Sequence, residues 1–175
     1  MVQTVIRLAT PQDAAPLSKL SHQTFEETFL EGFAIPYPPQ DMAEFVERSY
    51  SLDATSRRLA DPAQATWIAE VDGRALAYAN AGPCHLPHPD ARDSHGELYR
   101  IYVAREAQGL GLGTKLFDTA LEWLEREFPG PLWLGVWSGN VKAQKLYTAY
   151  GFAKAGEYEF PVGAWRDHEF IFRRG

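Results

Sequence analysis

Three glycines spaced two apart offer the clearest chemistry in this sequence, in the run Arg105-Glu106-Ala107-Gln108-Gly109-Leu110-Gly111-Leu112-Gly113. The run lies between a segment that reads as a strand and one that reads as a helix. Glycine lets a backbone come close to a ligand, and the free N–H groups of a helix start point at it with the positive end of the dipole. That combination is a phosphate cradle. A dinucleotide fingerprint is excluded, because G-x-G-x-x-G counted from Gly109 and Gly111 ends on Thr114. A P-loop is excluded as well, since Lys115 follows Thr114 and Leu116 stands where Ser or Thr is required. What fits is Gln-x-x-Gly-x-Gly, on Gln108, Gly111 and Gly113. A second chemical cluster runs from Cys84 to His95, with His85, His88, Asp90 and Asp93 between them. Its spacing matches no standard zinc site, and its prolines make it read as a solvated loop, so no metal is expected.

The elements that must position these groups follow from pattern. Val5 to Leu8 reads as a strand, and Thr10 followed by Pro11 reads as the start of a helix reaching about Phe29, with Leu17, Leu20, Phe25 and Phe29 as its core face. Gly32 and Pro36 to Pro39 break the chain. Asp41 opens a second helix to about Tyr50, and a polar segment leads to the strand Thr66 to Val71. Asp72-Gly73 then turns the chain into a returning strand, Ala75 to Ala81. Gly82 to His95 is a loop, Glu97 to Val103 a third strand, and Thr114 to Phe128 an amphipathic helix closed by Pro129-Gly130. Leu132 to Trp137 is apolar on both faces, as a central strand would be. Asn140 to Tyr150 is a short helix ended by Gly151. Ala153 to Phe160 and His168 to Arg173 form a terminal hairpin with a wide connection around Gly163.

With 175 residues, 45% hydrophobic and 13% aromatic, the chain suits one domain spanning 1-175, of mixed α/β (α+β) class. A formal net charge of -6 argues against a general nucleic-acid partner. No apolar run approaches the roughly 20 residues that span a bilayer, and the N-terminus lacks a signal-peptide layout, so no membrane partner and a cytoplasmic location are expected. Cys84, the single cysteine, can form no internal disulfide. Dimerisation is left open.

The Gln108, Gly111, Gly113 signature resembles that of the GNAT acetyltransferases, in which it binds the pyrophosphate of coenzyme A. The resemblance continues in Asn140, Ala143, Tyr147, Gly151 and Phe152, which match the family's N-x-x-A-x-x-x-Y-x-x-x-G-F pattern. It implies a mostly antiparallel central sheet flanked by helices, splayed between two central strands, here Leu98 to Val103 and Leu132 to Trp137. Acetyl-coenzyme A would then lie against Ile101, Tyr102, Val103, Gln108, Gly109, Leu110, Gly111, Leu112, Gly113, Thr114, Asn140, Ala143 and Tyr147. Glu97 to Val103, Trp133 to Trp137 and the tail Glu159 to Gly163 also resemble PaiA-like polyamine acetyltransferases. Position 138 is Ser where many relatives carry Glu.

An amine must lose a proton before it attacks a thioester, and the departing thiolate gains by receiving one. The resemblance places the phenol of Tyr147 at the sulfur, where a reference pKa of about 10 keeps it protonated and able to donate. Glu97 is the candidate base, acting through water, with an unassisted water chain as the alternative. Backbone N–H groups near Tyr102 and Val103 would receive the charge that develops on the carbonyl oxygen. The expected activity is direct transfer, in a ternary complex, to a primary amine of a small cationic acceptor such as a polyamine, with Glu26, Glu27 and Glu31 drawing it in. The competing readings are a protein or peptide acetyltransferase and a non-catalytic coenzyme A-binding sensory module.

Overall fold

The computed structural model describes residues 1–175. Its strands are β1 (Thr4–Leu8), β2 (Ala65–Val71), β3 (Arg74–Pro83), β4 (Gly96–Val103), β5 (Leu132–Trp137), β6 (Ala153–Val162) and β7 (Trp165–Arg174). Its α-helices are α1 (Ala14–Phe25), α2 (Pro39–Tyr50), α3 (Leu52–Ala60), α4 (Leu112–Glu127) and α5 (Val141–Ala149). The strands form one sheet in the order β1-β2-β3-β4-β5-β7-β6. Every neighbouring pair is antiparallel except β4 and β5. This is the mixed, mostly antiparallel sheet flanked by helices that the resemblance implied.

The amphipathic pattern of α4 is realised as a buried face of Leu112, Leu116, Phe117, Ala120, Leu121 and Leu124 packed on the sheet. Full burial of each such leucine stabilises the fold by roughly 1.5–3 kcal/mol. Along β5, Leu132, Leu134 and Val136 join that core while Trp133 enters a separate cluster with Cys84, Leu86 and Ile171. The strand is therefore apolar on both faces, as its composition suggested.

Four local expectations are corrected. The polar segment after Tyr50 is helix α3, capped by Ser51, whose Oγ accepts from the Ala54 N–H at 3.2 Å. Its buried face carries small Ala54 and Thr55, which leave almost no hydrophobic signal. The N-terminal helix ends at Phe25, and a π-helical turn from Glu26 to Gly32 replaces its last part. The terminal hairpin turns tightly: Val162 pairs with Trp165, leaving only Gly163 and Ala164 between them. Gly163 has φ +60°, a side chain there would meet Asp41 Cα at 2.5 Å, and Asp41 Oδ1 accepts the Ala164 N–H at 2.8 Å. The turn is thus pinned to α2. The Cys84 to His95 loop is not simply solvated, because Cys84 and Leu86 are buried and Trp133 Nε1 donates to His95 Nδ1 at 3.0 Å.

Candidate active site

β4 and β5 pair only from Gly96 to Leu98 against Leu132 to Leu134. Beyond Leu98 the strands part, so on its β5 side the stretch Tyr99 to Val103 has no strand partner. A bulge contributes to this: Asn80 pairs with Arg100 and Ala81 with Leu98, leaving Tyr99 as the extra residue. Bulges bend a strand and increase its twist. A cleft of about 520 Å³ occupies the gap, lined on its two sides by Leu98 to Tyr102 and by Leu134 to Trp137.

Both candidate catalytic residues line this cleft. Glu97, at the start of β4, is 8% exposed, and its Oε2 accepts the His85 N–H at 2.8 Å. Burial pushes its carboxyl up to about 7, and the hydrogen bond from His85 offsets part of that rise. Tyr147, on α5, packs between Phe117 and Phe172 with ring centroids at 5.6 and 6.4 Å. Burial raises its phenol to about 12, so it holds its proton throughout the neutral range. Tyr150, read as a packing residue, lies edge-on to Phe117 at 4.5 Å and donates to Asp118 Oδ1 at 2.6 Å.

The glycine loop follows β4 through a short 3-10 turn, Arg105–Ala107. Gly111 is the N-cap of α4 with φ +75°, and no side chain bonds to the first turn of the helix. The N–H groups of Leu112, Gly113 and Thr114 have no partner within the helix by its geometry. Around Gly109 and Gly111 nothing lies within 4 Å of where a Cβ would sit. A bare helix start facing open space is what an anionic phosphate group requires, so the loop fits coenzyme A. Gln108 and Leu110 are exposed beside it, Gln108 Nε2 reaching toward Val103 O at 3.5 Å. Asn140 lines the cleft and also caps α5, its Oδ1 accepting the Ala143 N–H at 3.1 Å. Ile101 and Tyr102 line the cleft, and half-buried Val103 ends the unpaired edge.

Other site residues differ from expectation. Glu26, Glu27 and Glu31 do not line the cleft: Glu26 pairs with His22, Glu31 forms an ion pair with Arg105, and Glu27 Oε2 accepts the Arg105 N–H at 2.6 Å. These contacts tie the π-helical turn to the residue that begins the loop turn. The carboxylates that line the cleft are instead Glu97, Asp167 and Glu169. Burial, and then the charge of Asp167, raises Glu169 to about 8. Asp167 is raised by burial although Tyr37 and Trp165 donate to it at 2.5 and 2.9 Å. Phe25 and Phe29, read as core, also face the cleft, as do Arg58 and Arg100. Sequence reasoning missed Asp167, Glu169, Arg58 and Arg100. None carried a signal: Arg100 lies three residues after Glu97, which on a regular strand would put it on the opposite face.

Residues 22–152 match the model of the acetyltransferase (GNAT) family. An uncharacterised N-acetyltransferase of Lactobacillus delbrueckii subsp. lactis is 30% identical over 148 residues, covering 85% of this chain and 86% of its own. Another, from Mycobacterium tuberculosis, is 30% identical over 168 residues, covering 93% and 97%. Among solved structures, the PaiA N-acetyltransferase of Thermoplasma acidophilum in complex with coenzyme A superposes with a TM-score of 0.75 over 98% of each chain, at 15% identity. With the signature, the splayed sheet and these relatives in agreement, the chain belongs to the acetyltransferase (GNAT) family and is an acyl-coenzyme A-dependent N-acetyltransferase.

Proposed function

We propose that this protein acetylates the primary amine of a small molecule, with Glu97 as general base and Tyr147 as general acid. The observation that carries the reading is that both side chains line one cleft, in the gap where β4 and β5 separate. When bound, acetyl-coenzyme A supplies the acetyl group as an activated thioester. Backbone N–H groups of Gln108 to Thr114 would hold its pyrophosphate, and the unpaired edge at Ile101, Tyr102 and Val103, with Asn140 and Ala143 opposite, its arm. Glu97, near 7, is a carboxylate often enough at neutral pH to take a proton from an ammonium, directly or through a water. Tyr147, kept neutral by burial, holds a proton ready for the leaving thiolate. The carboxyl groups of Glu97, Asp167 and Glu169 favour a cationic amine, whose charge would in turn draw them into their ionised forms, and a polyamine meets them with its ammonium groups. An amine panel with acetyl-coenzyme A, containing spermidine, amino acids, an aminoglycoside and a lysine peptide, tests the reading. Free thiol released together with an acetylated small amine is the expected result. Thiol release with the peptide alone would move the activity to proteins, and none at all would leave a binding module.

The glycine loop makes a separate prediction. Gly111→Val places a β-branched residue at φ +75°, a conformation it strongly disfavours, but meets no neighbouring atom. Folding should survive while the first turn of α4 loses its open approach. Calorimetric titration is expected to show coenzyme A binding weakened at least about tenfold. Equal affinity in the folded variant would place the pyrophosphate elsewhere.

A further inference from the structure

Two guanidinium groups line the same cleft, Arg58 from α3 and Arg100 from β4. Neither has a carboxylate within ion-pair distance, and the other arginines without one, Arg57, Arg92 and Arg166, are exposed and lie outside the cleft. Arg58 donates to Ser49 O at 2.8 Å, and Arg100 to Asn80 Oδ1 at 3.2 Å with the Tyr50 hydroxyl as a further partner. A guanidinium offers five donors in a planar fork, so most of their hydrogen-bonding capacity is unused. Both are half-buried and close enough to repel, and burial together with the charge of Arg100 brings Arg58 down to about 10. Behind them the Tyr78 hydroxyl is fully buried without a hydrogen-bond partner. Holding two like charges together away from water is costly unless an anion compensates them.

We infer that Arg58 and Arg100 form an anion-recognising subsite, and that the acceptor is an amine which also carries a carboxylate or phosphate. The inference rests on the proposed acetyl transfer to a small amine and narrows its substrate. A cleft lined by the carboxylates Glu97, Asp167 and Glu169 and by the guanidinium groups of Arg58 and Arg100 matches a molecule that carries both a cationic amine and an anionic group. A guanidinium can take a carboxylate or phosphate through two parallel hydrogen bonds, which fixes the orientation of the amine relative to Glu97. A polyamine answers only the carboxylates and ranks below such an acceptor.

Matched amines test this: 4-aminobutyrate against butylamine for a carboxylate, and phosphoethanolamine against ethanolamine for a phosphate. The acid-bearing member of at least one pair is expected to have a kcat/KM about tenfold or more above its neutral partner. Which pair shows the larger ratio identifies the anion. In Arg58→Gln and Arg100→Gln that ratio should fall about tenfold, and Arg58→Lys should keep part of it. Calorimetry with glutarate and with inorganic phosphate gives a readout independent of turnover and is checked alongside thermal melting of each variant. Anion binding that is lost in the folded glutamine variants, without any amine turnover, would uphold the subsite and sink the proposed reaction. Turnover with no preference for acid-bearing amines, or anion binding unchanged in the variants, would overturn the subsite.

Discussion

Tyr147→Phe is expected to lower single-turnover acetyl transfer by roughly 10² to 10³, the usual contribution of a positioned acid. The substitution removes one hydroxyl and keeps the ring that packs between Phe117 and Phe172. That hydroxyl belongs to a residue lining the cleft, and no protein hydrogen bond is lost with it. Coenzyme A affinity and thermal stability should therefore change little. A fall in all three together would make Tyr147 a packing residue. An unchanged rate, with chemistry limiting, would mean that water or another group protonates the sulfur. Single-turnover measurement at saturating amine is needed because product release can hide the chemical step.

Glu97→Gln should show function and stability moving in opposite directions. Turnover is expected to fall by about 10² or more, and the limb of the pH–rate profile that rises through about 7 should disappear. The stability effect follows from the raised carboxyl. Protonated Glu97 suits its buried place, so its contribution to stability is fully present below the ordinary value of 4.5 and is lost as pH rises through about 7. Above that pH the buried charge costs on the order of 3 kcal/mol, and a neutral glutamine escapes the cost while its Oε1 still accepts the His85 N–H. The variant should melt several degrees above the parent at pH 8, and the gap should shrink toward pH 4.5. Glu169, raised to about 8, titrates in the same cleft, so Glu169→Gln is the control and should keep the limb near 7. An identical profile in Glu97→Gln would transfer the base role to a water chain.

Local pattern in this chain carries much of the architecture. The spacing of Leu116, Phe117, Leu121 and Leu124 specified helix α4, Asp72-Gly73 the β2–β3 hairpin, and the unbroken apolar run of β5 its central place. The glycine loop was legible because a backbone turn that opens a helix is built from consecutive residues, and Gly111 is recognisable from its neighbours alone. Helix α3 was not legible, since a helix that buries alanine and threonine shows little periodicity.

The sequence by itself thus determined most of the elements and the glycine loop, each a property of residues close together in the chain, while the candidate acid and base came from the family resemblance. Only the tertiary structure decided that β4 and β5 separate after Leu98, because strand pairing depends on how the bulge at Tyr99 twists one strand away from the other. It also decided which charges share the cleft. Glu27 and Glu31 are spent on Arg105, Asp167 meets Tyr37 across 130 positions, and Arg58 comes to face the same cavity as Arg100. Periodicity records whether a side chain is buried, whereas its neighbour across a cleft is set by the docking of helices on the sheet, which brings together residues far apart in the chain.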